Sequence, residues 1–490
     1  MEFFKKMLSK TTYFPAIIGI LLGITLILSL KYSILVIVGG IITTIIVLNP
    51  FLGILLFIIS LALPAGFYIS FSSNAAAGLG CLLIITSGQE KLKKTPLNWL
   101  LPVMYFAAIL PAFTTDGVME NYLNHPKGLM TFIFYSLASL IIINLVDSTK
   151  KLEKVYNLLI IIGVIIGIVC TLQCLNLDPL EDYIYSFTGQ SNLGERGASI
   201  SDAVVSERFK FMRRAIAYTG DAVATGAIEQ SIFFLGLAFI FTKNTFFGKN
   251  LYCLVVLILF IGLFTPFSRS VWISSFLTSI YWWYKTGMNK KQLCLALIVL
   301  LSVSYFFWDS IYERYYQTFV FKDYKKDEVS YQISQLKRFA HNPFIGTGIG
   351  LINEFPEVRD YFSEKGFYKF YDPDADQETV DADIYTSEGQ VCYTSFYPGI
   401  ASQLGIAGIV SVSLIIISTF IVLSRSEKVF KSINNQKLYY LTMGLKTSFV
   451  GMLLHLVMRG DQTTKLLWIL IGLSWVTYNI AMEAKNEKHV

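Results

Sequence analysis

Two arginines carry the clearest chemistry in this sequence. Arg214 lies in Arg213-Arg214-Ala-Ile-Ala-Tyr-Thr-Gly220-Asp221, and Arg269 lies in Thr265-Pro-Phe-Ser-Arg269-Ser-Val-Trp272. Each stands at the edge of a long apolar run, on the side of the membrane that loop charge assigns to the exterior. The positive-inside bias disfavours a guanidinium there, so its presence asks for a ligand. The planar fork of an arginine matches paired phosphate oxygens, which makes a lipid-linked phosphate or diphosphate the leading candidate. A plainer use competes with this one: Arg208-Phe-Lys-Phe-Met-Arg213-Arg214 also reads as an amphipathic stretch lying on lipid headgroups.

A second stretch, 309 to 397, holds the other reactive side chains. It contains His341-Asn-Pro343-Phe-Ile-Gly346-Thr-Gly348-Ile-Gly350 and an acidic run from Asp372, Asp374 and Asp376 to Asp381 and Asp383. The three glycines follow no strand, so they suit a tight turn with close backbone approach better than a nucleotide loop. The aspartates match no EF-hand spacing, and a solvated loop outranks a metal site. No metal ligand set or cofactor is expected.

Positioning these groups falls to apolar helices. The chain has 490 residues, 54% of them hydrophobic and 15% charged, with a mean hydropathy of +0.55, which excludes an ordinary soluble domain. Apolar runs cover 15 to 30, 33 to 48, 51 to 70, 75 to 87, 98 to 113, 129 to 147, 156 to 175, 223 to 241, 250 to 268, 270 to 286, 291 to 308, 398 to 424, 438 to 456 and 464 to 482. The run at 75 to 87 is short for a straight crossing.

Loop charge gives an independent check on this order. With the N-terminus inside, alternate loops carry Lys91/Lys93/Lys94, Lys150/Lys151/Lys154, Lys243/Lys249, Lys285/Lys290/Lys291 and Arg425/Lys428/Lys431/Lys437, and the chain ends at Lys485/Lys488. The expected architecture is an all-α polytopic membrane protein of about 12 to 14 spans with both termini cytoplasmic. Its segments are 1 to 175 (N-terminal helices), 176 to 222 (first outer loop), 223 to 308 (central helices), 309 to 397 (a partly helical outer lid) and 398 to 490 (C-terminal helices).

Several function classes drop out. The net charge of +6 sits in short inter-helix loops, which is topology and not a nucleic-acid groove. There is no P-loop, HExxH, GxSxG or CxxC pattern, so energy must arrive with the substrate or from a gradient. No cleavable signal peptide is expected, because further apolar runs follow the first at once. Glu229 and Lys446 fall inside apolar runs, and their cost there suggests that they pair with each other. Arg459-Gly-Asp461 opens the last outer turn, either as a local ion pair or as part of an acceptor path, and Tyr281-Trp282-Trp283-Tyr284 reads as an interfacial belt.

The order of these features resembles the O-antigen ligase and O-antigen polymerase superfamily. Arg214 ahead of Gly220, Ser268-Arg269-Ser270, the run Pro343 to Gly350, then Tyr397 and Gln403-Leu-Gly405-Ile-Ala-Gly408 entering a helix carry the likeness, from roughly 205 to 425. Members of that superfamily transfer glycans from undecaprenyl diphosphate on the outer face of the bacterial cytoplasmic membrane, without nucleotide sugars or metal. The resemblance implies that Arg214 and Arg269 hold the diphosphate, with Arg213, Asp221, Tyr397 and Arg459 lining the substrate path. It implies as partners an undecaprenyl diphosphate-linked donor, a glycan or lipid-linked acceptor, membrane lipid and a chain-length regulator.

The chain departs from the ligase pattern at one place. Ligases carry a His-Asn pair where this sequence has Thr394-Ser395, eleven residues ahead of Gly405. His341 is then the first candidate for a general base, with Asp383 and Glu388 behind it. The vacated histidine favours a polymerase over a ligase; the rival from another class is a lipid-linked oligosaccharide flippase.

Overall fold

In the computed structural model the described residues are 50–61, 93–114, 118–119, 122, 127–175, 177, 215, 217, 222–242, 248–287, 336, 339–340, 342–349, 396–458 and 464–487. They form helices α1 (Pro50–Ile59), α2 (Leu97–Ile109), α3 (Pro111–Thr114), α4 (Lys127–Leu145), α5 (Thr149–Cys174), α6 (Ala222–Ile240), α7 (Gly248–Phe264), α8 (Arg269–Thr286), α9 (Phe396–Ser432), α10 (Gln436–Met458) and α11 (Thr464–Glu487), with no strand among them. Among the described residues six stretches are long and apolar enough to cross a membrane: Leu97–Thr114, Thr149–Cys174, Val223–Ile240, Phe396–Ser432, Gln436–Val457 and Lys465–Glu487. The protein is a multi-pass α-helical membrane protein. The apolar runs at 15 to 30, 33 to 48, 75 to 87 and 291 to 308 lie outside the described residues.

α6 is the hub of the bundle. It packs against α10, α7, α5 and α8, and its buried face mixes Ile232, Phe234 and Ala238 with Thr225, Glu229, Gln230 and Ser231. Lipid tails give no hydrophobic drive for helices to associate, so small residues and interhelical hydrogen bonds hold them. Both devices are present. A Cβ on Gly262 would stand 2.7 Å from the Cα of Gly167, so α5 and α7 touch backbone to backbone. Ser274 Oγ donates to Gln230 Oε1 at 2.8 Å, and Ser448 Oγ donates to the Ser231 carbonyl at 2.6 Å, tying α8 and α10 to α6.

The lysine-rich connections gather at one end. Lys93 N–H donates to Asn144 Oδ1 (2.9 Å), Lys437 pairs with Glu153 (2.8 Å), and Lys446 pairs with Glu427 (2.9 Å), which also faces Lys285 at 3.6 Å. Lys446 therefore does not pair with Glu229, as its place in an apolar run suggests. α6 and α10 run antiparallel, and Gly444 sits against Ala238, so Lys446 lies roughly 10 Å along the axis from Glu229, beside α9 and not α6. The Lys446 side chain is only 4% exposed and also lies over the Phe420 ring at 4.9 Å, so removing its carboxylate strands a buried cation. Glu427→Ala is expected to cost about 3 kcal/mol, against well under 1 for Lys285→Ala, in thermal unfolding of the detergent-solubilised protein.

Candidate functional site

The opposite end of the bundle holds Arg269, Tyr397 and the turn at Gly346 and Gly348. Thr265 to Ser268 make the turn between α7 and α8, all buried, and Arg269 opens α8, half-buried. A helix start leaves backbone N–H groups unsatisfied and carries partial positive charge, and the N-cap Ser268 side chain does not cap them; it bonds Ser270 instead, at 3.0 Å. Among the described residues Arg269 has no carboxylate partner. A guanidinium and a helix N-terminus thus point to the same kind of ligand, an anion.

A second segment is pinned to this turn. Ala215 N–H donates to the Thr265 carbonyl at 3.2 Å, and Gln173 Nε2 donates to the Ala217 carbonyl at 3.2 Å. Ala217 and Phe267 both have positive φ, 44° and 46°, which costs a side-chain-bearing residue of order 1 to 3 kcal/mol. Phe267 holds that backbone by burying its ring edge-on against Trp272, centroids 6.3 Å apart. Two strained residues on facing segments mark a turn held in a set shape. Arg214 lies outside the described residues, but its chain neighbour Ala215 is bonded to the turn that leads into Arg269.

The glycine stretch that follows His341 forms the third wall. Gly346 and Gly348 have φ of 76° and 93°, and Gly405, inside α9, has φ 62° and ψ −161°, which breaks the helix. The two segments dock backbone to backbone. Thr347 N–H donates to the Ser402 carbonyl (2.9 Å), Gly348 N–H to the Gln403 carbonyl (3.0 Å), and Ile406 N–H to the Pro343 carbonyl (2.7 Å). Each bond satisfies a group freed by the break in α9 or by the turn, which membrane-depth backbone requires. A Cβ on Gly346 would stand 2.4 Å from the Gln403 carbonyl oxygen, so only glycine fits. The tight turn read from these glycines is what they make; its partner, the Gly405 break, was not foreseen.

Tyr122 ties the clamp to the first helices. Its hydroxyl accepts from Ile349 N–H at 2.8 Å and donates to the Ala108 carbonyl at 2.8 Å. Burial pushes the Tyr122 phenol above its ordinary value, opposed by the Ile349 N–H, so it stays a neutral hydroxyl that serves both partners. Tyr397, read as substrate-lining, is half-buried, and its hydroxyl already donates to the Leu453 carbonyl at 3.3 Å, which fixes the start of α9 against α10.

Arg213, Asp221, His341 and Arg459 lie outside the described residues, as do Asp383, Glu388 and Thr394. Their described neighbours, Ala222, Asn342 and Met458, belong to the elements that converge here. Sequence reasoning passed over Lys465, which is buried in the first turn of α11, hydrogen-bonded to Ser60 Oγ and 4.4 Å from the Phe57 ring centroid. The signal that singles out Arg269, a cation at the outer edge of an apolar run, also marks Lys465, and applying it at the last outer turn would have found it. No metal-ligating cluster occurs among the described residues. No protein-family model matches the chain, and no curated protein matches its sequence.

Proposed function

We propose that the protein is a membrane glycosyltransferase of the O-antigen polymerase type, drawing on undecaprenyl diphosphate-linked oligosaccharide on the outer face of a bacterial cytoplasmic membrane. The observation that carries this is the Arg269 turn: a guanidinium with no carboxylate partner among the described residues, at a helix N-terminus, with the segment beyond Arg214 bonded to it. When the anomeric C–O bond breaks, charge grows on the departing diphosphate, and positive groups fixed beforehand in a water-poor site stabilise it most. Nothing in such a reaction calls for a nucleotide. The lipid carries both the sugar and the energy of its diphosphate linkage. The acceptor hydroxyl attacks the opposite face of the sugar ring, with His341 as the first candidate to take its proton.

Orientation and activity are tested separately. Cysteines introduced at Ser191 and Ser363 should react with an impermeant thiol reagent in intact cells, and one at Ser432, exposed at the lysine-rich end of α9, should not. Labelling in the reverse pattern would place the Arg269 end in the cytoplasm and end the proposal. Deleting the protein in its host should shrink surface polysaccharide to one repeat unit. Full-length chains missing from their anchor would make it a ligase, and material trapped inside would make it a flippase.

A further inference from the structure

Glu229 lies within α6 with 0% exposure, and both carboxyl oxygens lack a hydrogen-bond partner. Among the described residues its surroundings offer no countercharge. From α5 the facing ionisable group is Cys170; from α7 the contact is Gly262, whose Cβ would stand 3.1 Å from Oε2. On α8 the cation toward this end is Arg269, at the helix start, and α10 carries the buried Lys446 and His455; no ion pair joins any of them to Glu229, and Lys446 is held by Glu427. An ionised carboxylate left alone at such a place costs several kcal/mol, whereas the carboxylic acid costs far less.

The carboxyl lies close beneath the candidate site. It sits at the crossing of Gly167 and Gly262, where a missing pair of side chains leaves α5 and α7 in backbone contact. Thr265, just past the end of α7, donates through Oγ1 to the Gly262 carbonyl at 3.1 Å, and the Cys170 thiol faces Thr265 and Ala217. Cys170 and Thr265 are thus the polar side chains on the α5 and α7 sides between Glu229 and the turn that ends in Arg269.

We propose that Glu229 is a proton-binding site built into the membrane core, holding one proton as a neutral carboxylic acid and exchanging it through the Thr265 turn. Proton uptake adds H⁺ to one carboxylate oxygen and release returns it, with no other bond made or broken. The site does not depend on glycan transfer; it would serve a gradient-driven cycle equally well.

Infrared spectroscopy of the full-length protein in lipid tests this without a substrate. At neutral pH the spectrum should contain the carbonyl stretch of one protonated acid that Glu229→Gln removes, and in D₂O that band should shift within minutes. Absence of an acid band sensitive to Glu229→Gln overturns the proposal. A band that stays unshifted after a day in D₂O also overturns it, since the acid would then be locked and structural. Dicyclohexylcarbodiimide adds whole to a protonated carboxyl in apolar surroundings, so mass mapping should find its adduct on Glu229 and lose it in Glu229→Gln; labelling confined to other carboxylates counts against the site. Gly262→Ala, which presses on Oε2, should slow the D₂O shift severalfold while the acid band remains, and an unchanged rate would remove the crossing from the exchange path.

Discussion

Arg269→Ala is expected to slow glycan transfer roughly a hundredfold with the helices intact, because a charge-assisted contact that strengthens as the diphosphate departs is worth on the order of 3 kcal/mol. Arg269→Lys should recover part of that, since an ammonium supplies charge without the two-pronged contact. The fold should tolerate both changes: Arg269 has no carboxylate among the described residues to strand, and its backbone place at the start of α8 is kept. Thermal unfolding within a degree or two of the parent is the control. Arg214→Ala should behave alike, and the double variant should fall short of the product of the two losses if both side chains grip one diphosphate. The measurement is polymer formed per unit time in vesicles supplied with lipid-linked donor. Near-normal rates in both alanine variants would leave the arginines as headgroup anchors.

The apolar runs that fall on described residues each became a helix, because backbone groups in lipid have no other partner than their own chain. Helix ends were less legible. α5 begins at Thr149, not 156, since Ser148 caps it by accepting from Lys151 N–H and the turn of lysines extends the helix into the headgroup region. α9 runs on to Ser432 past 424 because Phe430 is buried and Val429 packs beside it, so two apolar side chains among Arg425, Lys428 and Lys431 anchor two more turns. Hydropathy reports the part of a helix that lipid sees and not the part that packs at its end. The Glu229–Lys446 pairing failed for a related reason: composition puts two charges in apolar runs, but only the register of α6 against α10 says how far apart they lie. Gly346 and Gly348 announced a turn, whereas no local signal said that Gly405, sixty residues on in a helical pattern, was the other half of it.

That clamp sets the second large effect. Gly346→Ala puts a methyl 2.4 Å from the Gln403 carbonyl oxygen, and Gly405→Ala puts one 2.7 Å from the Phe344 carbonyl oxygen. Both neighbours are backbone, so neither can swing aside as a side chain would. The φ of 76° and 62° adds about 1 to 3 kcal/mol of strain at each position. Three backbone hydrogen bonds between the two segments and the Thr347 hydroxyl on the Ser402 carbonyl, at about 1 kcal/mol each, oppose undocking, and the added clash and strain are expected to tip the loop off α9. The carbonyls of Ser402 and Gln403 then lose their partners beside the break, and the start of α9, with Tyr397 on it, loses its fixed position. Transfer should drop by a factor of about a hundred, and proteolysis in proteoliposomes should open between 343 and 349 while the transmembrane core stays protected. Phe344→Ala is the control, since that ring is 73% exposed and removing it leaves the backbone contacts in place. Unchanged protease resistance and unchanged transfer in Gly346→Ala would mean that the loop is held by something other than these backbone bonds.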